Sequence, residues 1–193
     1  MPSPESRCAG KAVIDKMITE DMRNDALLGG LRDRLNNDPF WSTYLSDTDF
    51  SSTPFRSLHV AVFREPFLTL VLSGQKSLES RFAVNQVPPY REVMAGDVIL
   101  LKRVAGPVVG IARAEAVWDY DLDPSTLSQL RSEFADMLCA QDPEFWKIKE
   151  SARFATLIAL DQVRSLPNLP YPKHDRRGWV VEISRVTQLS LDL

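Results

Sequence analysis

The sequence is poor in the residues that build disulfide frameworks and metal sites. It contains two cysteines and two histidines in 193 residues. Cys8 and Cys139 lie far apart and share no short motif, so we expect no disulfide framework. With only His59 and His174 to add ligands, we expect no zinc site built from Cys and His and no cofactor.

Long apolar runs are also absent from the sequence. No stretch reaches the roughly 18 apolar residues that would suggest a membrane-spanning helix. The first residues, MPSPESRCAGK, contain no apolar core of the kind found in signal peptides. We therefore expect a cytoplasmic protein with reduced cysteines and no membrane partner.

The chain has no overall excess of positive charge. Its 23 basic and 26 acidic residues give a formal charge of -3, which argues against coating nucleic acid through bulk charge. The charge is nevertheless uneven. Residues 147–177 contain seven basic and three acidic residues, whereas residues 112–142 contain two basic and seven acidic residues. Any nucleic-acid site is therefore predicted to be a local patch.

Two regions of different character follow one another along the chain. Residues 11–35 carry apolar side chains at helical spacing, which indicates an amphipathic helix, and Gly29-Gly30 is expected to break or bend it. An aromatic cluster after Asp38-Pro39 is followed by a linker rich in Ser, Thr, Asp and Pro. We predict a helical N-terminal extension and linker over residues 1–57 and a separate domain over residues 58–193.

The pattern after residue 57 predicts the element order β-α-β-β-β-α-α-β-β. LHVAVF is typical of a buried strand, and Glu65-Pro66 opens a helix that should end at Gly74. Residues 166–177 are predicted to form a proline-rich loop before the closing strand GWVVEIS. Because few strands are joined by long helical crossovers, we predict an α+β fold, a small mixed or mainly antiparallel β-barrel flanked by helices.

Residues 74–82 (GQKSLESRF) carry the densest set of chemically useful side chains. Strand alternation would turn Leu78 and Phe82 toward the core and would leave a polar face formed by Ser77, Glu79 and Arg81. Lys76 lies at the start of this face. Such a cluster suits a phosphate, a base edge or a polar amide. The alternative is a solvated strand face with a surface ion pair.

These residues resemble a known family. The run over residues 66–81, in which Gly-x-Lys-Ser-x-Glu-x-Arg follows an apolar helix, resembles the ASCH domain family of the PUA-like group of small β-barrels. Gly96-Asp97-Val98-Ile99 resembles the start of the family's next strand, and the likeness covers about residues 58–184. It implies a barrel with a cleft linked to RNA. Some members bind RNA or coactivator partners, and others are amidohydrolases on acylated cytidines or ribonucleases.

The resemblance makes Lys76, Ser77 and Glu79 catalytic candidates if the protein is an enzyme, since a lysine matching Lys76 is catalytic in the enzymatic members. The amidohydrolases use a threonine where this chain has Glu79, and a carboxylate cannot replace a hydroxyl nucleophile. A neighbouring carboxylate also favours the charged form of a lysine. We therefore predict that Lys76 and Arg81 receive an anion while Glu79 orients one of them or accepts from a base amino group.

A second candidate patch combines basic residues with tryptophan, as single-stranded nucleic-acid sites do. Its members are Lys147, Lys149, Arg153, Lys173, Arg176, Arg177 and Trp179. The alternative is that Trp146 and Trp179 belong to the core and the charges are solvated. His59, at an apolar strand start, is expected to be structural.

The combined pattern favours an RNA- or nucleotide-binding module. An RNA-directed hydrolase using Lys76, acting on RNA or on a modified nucleoside, and a protein-interaction or regulatory domain are the alternatives. The predicted partner is RNA or a nucleotide. A protein partner, or a homodimer formed through the N-terminal helix, is a further prediction.

Overall fold

The chain divides into two units, residues 1–47 and residues 48–193. The computed structural model describes residues 22–47, 56–171 and 177–185. The N-terminal half of the predicted first helix therefore lies outside the described residues, as do Lys173, His174 and Arg176. The predicted boundary between residues 57 and 58 stays a prediction.

The first unit contains a helix, α1, whose described part covers residues 22–35. The helix passes through Gly29-Gly30 without interruption, so the predicted break is wrong. Leu27, Leu28 and Leu31 are buried on either side of the glycine pair. Burying a leucine side chain contributes about 1.5–3 kcal/mol. Several such residues offset the helix propensity that each glycine loses, about 1 kcal/mol.

A second helix, α2 (Trp41–Asp47), follows the predicted turn. The Asp38 carboxylate accepts hydrogen bonds from the backbone N–H groups of Phe40 at 3.0 Å and Trp41 at 2.8 Å, so it caps this helix. The rings of Phe40 and Tyr44 stack with centroids 4.8 Å apart, and Trp41 contacts both edge-on. The predicted aromatic cluster is confirmed.

The described residues of the second unit form six strands and three helices in the predicted order. The strands are β1 (Leu58–Phe63), β2 (Leu78–Ala83), β3 (Val98–Arg103), β4 (Val108–Asp121), β5 (Phe154–Leu169) and β6 (Trp179–Ile183). The helices are α3 (Phe67–Leu72), α4 (Pro124–Phe134) and α5 (Pro143–Lys147). Among the described residues, no helix is both long enough and apolar enough to cross a membrane.

The strands form one mixed sheet in the order β2-β5-β4-β3-β1-β6. Only the β1–β3 pair is parallel, and the other pairs are antiparallel. The sheet is curled, so that Arg81 on β2, at one end of the strand order, lies beside β1 and β6 at the other end. Its guanidinium donates to the carbonyl oxygens of Val62 at 3.1 Å and Gly178 at 3.2 Å. The predicted α+β fold with a mainly antiparallel, barrel-like sheet is confirmed.

Apolar side chains cover both faces of the curled sheet. Successive residues of β5 point to different clusters: Ile158 packs with Phe63, Leu68 and Val71, whereas Leu157 packs with Leu130 and other residues of the helical layer. This alternation follows from the pleat of a strand. As a result, α3 packs against one face of the sheet, and α4 and α5 pack against the other face. Strand β2 and its neighbours therefore lie between helices.

Strand β5 runs further than the sequence indicates. Residues 166–169 were predicted as loop, but they continue the strand to Leu169 in spite of Pro167. The β4–β5 register shifts between the pairs Val108–Leu169 and Gly110–Ser165, which marks a bulge around the proline. A bulge tolerates a residue that has no N–H to donate to the ladder.

Candidate functional site

A cavity of about 680 Å³ lies where β2, the ends of β1 and β3, and the segment after α5 meet. Its charged lining residues are Arg64, Lys76, Glu79, Arg81, Lys102, Lys149 and Arg177. Its aromatic lining residues are Phe63, Phe67, Phe82 and Phe145. Six cationic side chains therefore face one carboxylate in an enclosure with apolar walls, which concentrates positive potential.

Glu79 lies at the centre of the charged group. Its Oε2 atom is 2.7 Å from Nζ of Lys76, and its Oε1 atom is 2.9 Å from Nε of Arg81. Lys76 and Glu79 are only 3% and 6% exposed, so this segment is not a solvated strand face. Lys76 also donates to the carbonyl oxygen of Leu78. The Glu79 carboxylate therefore lies between the two cations that were predicted to receive an anion.

Arg81 is fixed on several sides. The hydrogen bonds to Val62 and Gly178 use one N–H of each terminal nitrogen. The guanidinium carbon lies 5.1 Å from the ring centroid of Phe63 and 5.2 Å from that of Trp179. Stacking between two rings holds the planar group without using its remaining N–H donors. Arg81 is therefore a rigid, partly exposed cation at the edge of the cavity.

Lys149 is the cavity lysine with the fewest contacts. Its Nζ atom lies 5.3 Å from the ring centroid of Phe145 and 5.8 Å from that of Phe82. Within the part of the chain that the structure describes, no carboxylate forms an ion pair with it. Partial burial lowers the pKa of the Lys149 amine, and the charge of Arg81 lowers it further, while Glu79 acts in the opposite direction. This amine can turn to a ligand without breaking a salt bridge.

Two further cations line the cavity that the sequence pattern did not indicate, Arg64 and Lys102. Lys102 is 5% exposed and donates to the carbonyl oxygens of Arg103 and Gly106. The parallel pairing of β1 and β3 sets Val62 beside Lys102. The carboxyl ends of parallel strands meet at one edge of a sheet. The basic residues that end LHVAVFR and VILLKR could have indicated this placement, had the parallel pairing been recognised.

Several predicted site residues lie outside the cavity. Ser77 is exposed, and its carbonyl oxygen accepts from the N–H of Leu160. It precedes β2, and its side chain does not line the cavity. Lys147 is exposed and pairs with Glu144 at 3.6 Å, and Arg153 is exposed as well.

At the C-terminal end of the predicted basic patch, Arg177 lines the cavity but Trp179 is 3% exposed. Trp146 is equally buried and donates its indole N–H to the carbonyl oxygen of Ala140 at 2.7 Å. The alternative in which both tryptophans belong to the core is confirmed. Trp179 nevertheless supports the site, since the guanidinium of Arg81 lies over its ring.

His59 belongs to a separate buried network. Its Nδ1 atom accepts from the indole N–H of Trp179 at 3.2 Å, so the ring proton lies on Nε2. Nε2 is 3.1 Å from the carboxylate of Asp97, which also pairs with Arg185. The expected structural role of His59 is confirmed, because this network joins β1, β6 and the start of β3 away from the cavity.

The donor set of the cavity suits an anion better than a metal ion. Its one carboxylate already contacts two cations. No group of three or more His, Cys, Asp or Glu side chains placed to hold a metal ion occurs among the described residues. Cationic side chains beside aromatic rings are instead suited to a phosphorylated or otherwise anionic ligand with a planar part.

Searches against protein-family models and against curated proteins found no match. The solved structures similar to the chain include the ASCH protein from Zymomonas mobilis, with 20% identity, a TM-score of 0.47, and coverage of 58% of this chain and 73% of that one. A variant of the same protein gives 20% identity, a TM-score of 0.48, and coverage of 60% and 76%.

A protein from Enterococcus faecalis V583 is also similar, with 14% identity and a TM-score of 0.41. That match covers 72% of this chain and 95% of the other. Likenesses of this degree concern part of the fold and say nothing about activity. The curled, mixed α+β sheet of this chain is the fold that the motif resemblance implied.

Proposed function

We propose that the protein binds RNA or a nucleotide in the cavity beside β2. The observation that supports this proposal is the combination of six Lys/Arg side chains, one carboxylate and four phenylalanine rings around a single cavity. Phosphates bind to cationic side chains, and bases stack on aromatic rings. The cavity volume, about 680 Å³, lies within the usual range of small-ligand sites, roughly 300–1,000 Å³.

Apart from the partly exposed Arg81, the cations divide into two groups by exposure. Arg64 and Arg177 are exposed and Lys149 is half-buried, so these three suit phosphate contacts at the mouth. Lys76 and Lys102 are buried and already donate to protein oxygens, so they supply background charge and fix the shape of the floor. In this arrangement the carboxylate of Glu79 is the acceptor available to a base amino group.

The direct test is a titration of fluorescent single-stranded RNA with the wild-type protein at low and moderate salt. Three phosphate contacts predict a slope of roughly -2 for log affinity against log salt, since each contact to a single strand contributes about 0.7. The RNA should remain intact when the samples are run on a gel. Absence of binding at low salt would overturn the proposal and would favour the protein-interaction alternative.

An RNA-directed hydrolase is the second candidate, and the state of Lys149 favours it. The Lys149 amine lies in the cavity without a carboxylate partner among the described residues, and burial together with Arg81 lowers its pKa, as a general base requires. Lys76, the catalytic candidate from the sequence, is less suited to this role because Glu79 and the Leu78 carbonyl already accept from it. Shortened RNA in the gel, lost in Lys149→Ala, would establish the hydrolase.

A further inference from the structure

A second, smaller hollow adjoins the cavity. Its volume is about 210 Å³, and it shares Arg81, Phe82 and Gly178 with the cavity. Its other walls come from residues 87–90, from the start of β5 and from Trp179. We call it the Tyr90 cleft. Because the two spaces share three lining residues, they adjoin at Arg81.

The lining of the Tyr90 cleft differs from that of the cavity. The rings of Tyr90 and Phe154 lie with centroids 4.9 Å apart at 55°, and Pro88 and Pro89 add further apolar surface. Among the described residues that line the cleft, Arg81 alone is charged. The hydroxyls of Tyr90 and Thr156 donate to Asp121 and Asp119, and the Trp179 indole N–H donates to His59. An uncharged planar group suits such a cleft, and a phosphate does not.

Size points to the same kind of occupant. About 210 Å³ is below the range of sites that enclose whole drug-sized ligands, roughly 300–1,000 Å³. The cleft therefore has room for one flat ring system rather than a second complete nucleotide. Val87, at its rim, is 48% exposed, so apolar surface continues outward from the cleft.

Arg81 lies between the cavity and the Tyr90 cleft. It is suited to bind the part of a ligand that connects the two spaces. One N–H of each terminal nitrogen is held by a backbone carbonyl oxygen, and a second N–H on each nitrogen remains. The two rings that stack on the guanidinium keep its orientation. A guanidinium fixed in this way is a ready donor to phosphate oxygens, with little rotamer entropy left to lose.

We infer that the Tyr90 cleft binds the base of a second nucleotide, with the connecting phosphodiester on Arg81, so that the ligand is an RNA chain rather than a free mononucleotide. This inference rests on the proposed function of the cavity and specifies its ligand class. Stacking of a base on aromatic side chains tightens binding by roughly 5- to 150-fold, and we expect about tenfold for the second nucleotide.

The test compares the affinities of mixed-sequence ribomononucleotides and ribodinucleotides for three proteins: wild type, Val87→Glu and Val84→Glu. Val87 lines the cleft and is largely exposed, so a carboxylate there obstructs a base without disturbing the core. Val84 is 52% exposed on the same loop and lines neither space, which makes it the matched control.

We expect wild type and Val84→Glu to bind the dinucleotides about tenfold more tightly than the mononucleotides. Val87→Glu should lose this preference and keep its affinity for mononucleotides. Equal affinity of wild type for both ligands, or the same loss in both variants, would overturn the second subsite while leaving the cavity proposal intact. No binding of either ligand by wild type would overturn the cavity proposal as well.

Discussion

The carboxylate of Glu79 lies 2.7 Å from the ammonium of Lys76 inside the protein, three residues along the same segment. Both side chains are withdrawn from solvent, and the same carboxylate contacts Arg81 at 2.9 Å. Buried charges are tolerated only when they are paired, because desolvation of a single charge is costly. Glu79 therefore fixes the floor of the cavity and sets the positions of two of its cations.

Glu79→Gln should destabilise the protein by on the order of 3 kcal/mol, because it leaves Lys76 buried beside a neutral amide. Chemical denaturation monitored by tryptophan fluorescence measures the change. Glu144→Gln is the matched control, since Glu144 also pairs with a lysine three residues away, but on the surface at 3.6 Å. That substitution should have little effect. Equal stability of the two variants would contradict the conclusion that Glu79 compensates the buried charge of Lys76.

RNA affinity should fall as the pH rises. The fall should begin at a lower pH than it would if Lys149 had the pKa of an exposed lysine. Burial and the charge of Arg81 lower the pKa of Lys149 from 10.5, so this amine loses its proton early as the pH rises. A neutral amine no longer attracts phosphate, and binding weakens. Lys149→Arg keeps its charge and should show a flatter profile. An alkali-resistant 2′-O-methyl RNA allows the affinities to be measured from neutral to alkaline pH.

The same substitution has an effect on folding with a defined sign. Between the lowered pKa of Lys149 and its unfolded value, the unfolded chain binds more protons than the folded one, so stability due to this group rises with pH. Lys149→Arg should lack that rise. Matching pH profiles of wild type and Lys149→Arg, in both binding and unfolding, would show that Lys149 does not titrate in this range.

Gly110→Ala should destabilise the protein by about 1–3 kcal/mol through overpacking. A Cβ atom there would lie 2.6 Å from the side chain of Leu72, at the end of α3, and 3.1 Å from the backbone oxygen of Arg164, so the Leu72 side chain would have to shift. Gly29→Ala is the opposite case: a Cβ in helix α1 meets nothing within 4 Å. It should stabilise by about 0.5–1 kcal/mol. Thermal melts compare the two, and a stable Gly110→Ala would contradict the packing of α3.

The order of elements in the second unit is predictable because each one carries its own local signal. LHVAVF has the composition of a strand, and Asp123 stands where a helix cap is needed and accepts from Thr126. Two predictions placed the end of an element wrongly, the break in α1 and the end of β5, and both errors have a non-local cause. Burial of leucines carries α1 through Gly29-Gly30, and pairing with β4 carries β5 past Pro167.

Only those residues of the candidate site that lie close together in the sequence were predictable. Lys76, Glu79 and Arg81 lie within six residues, so one strand brings them together. Lys102 joins them through a parallel pairing between strands separated by about 40 residues, which no local pattern reveals. The burial of Glu79 likewise depends on helices that are distant in sequence. Strand alternation indicates a polar face but not what covers it.

The most direct measurement of nucleic-acid binding at the cavity compares two lysines at the end of α5. Lys149 lines the cavity, whereas Lys147 lies outside it on the surface. Fluorescent single-stranded RNA is titrated with wild type, Lys149→Ala and Lys147→Ala over a range of salt concentrations. Lys149→Ala should bind about tenfold more weakly, with a salt slope smaller by about 0.7, and Lys147→Ala should match wild type. Equal affinities and slopes for the two variants would contradict binding of RNA in this cavity.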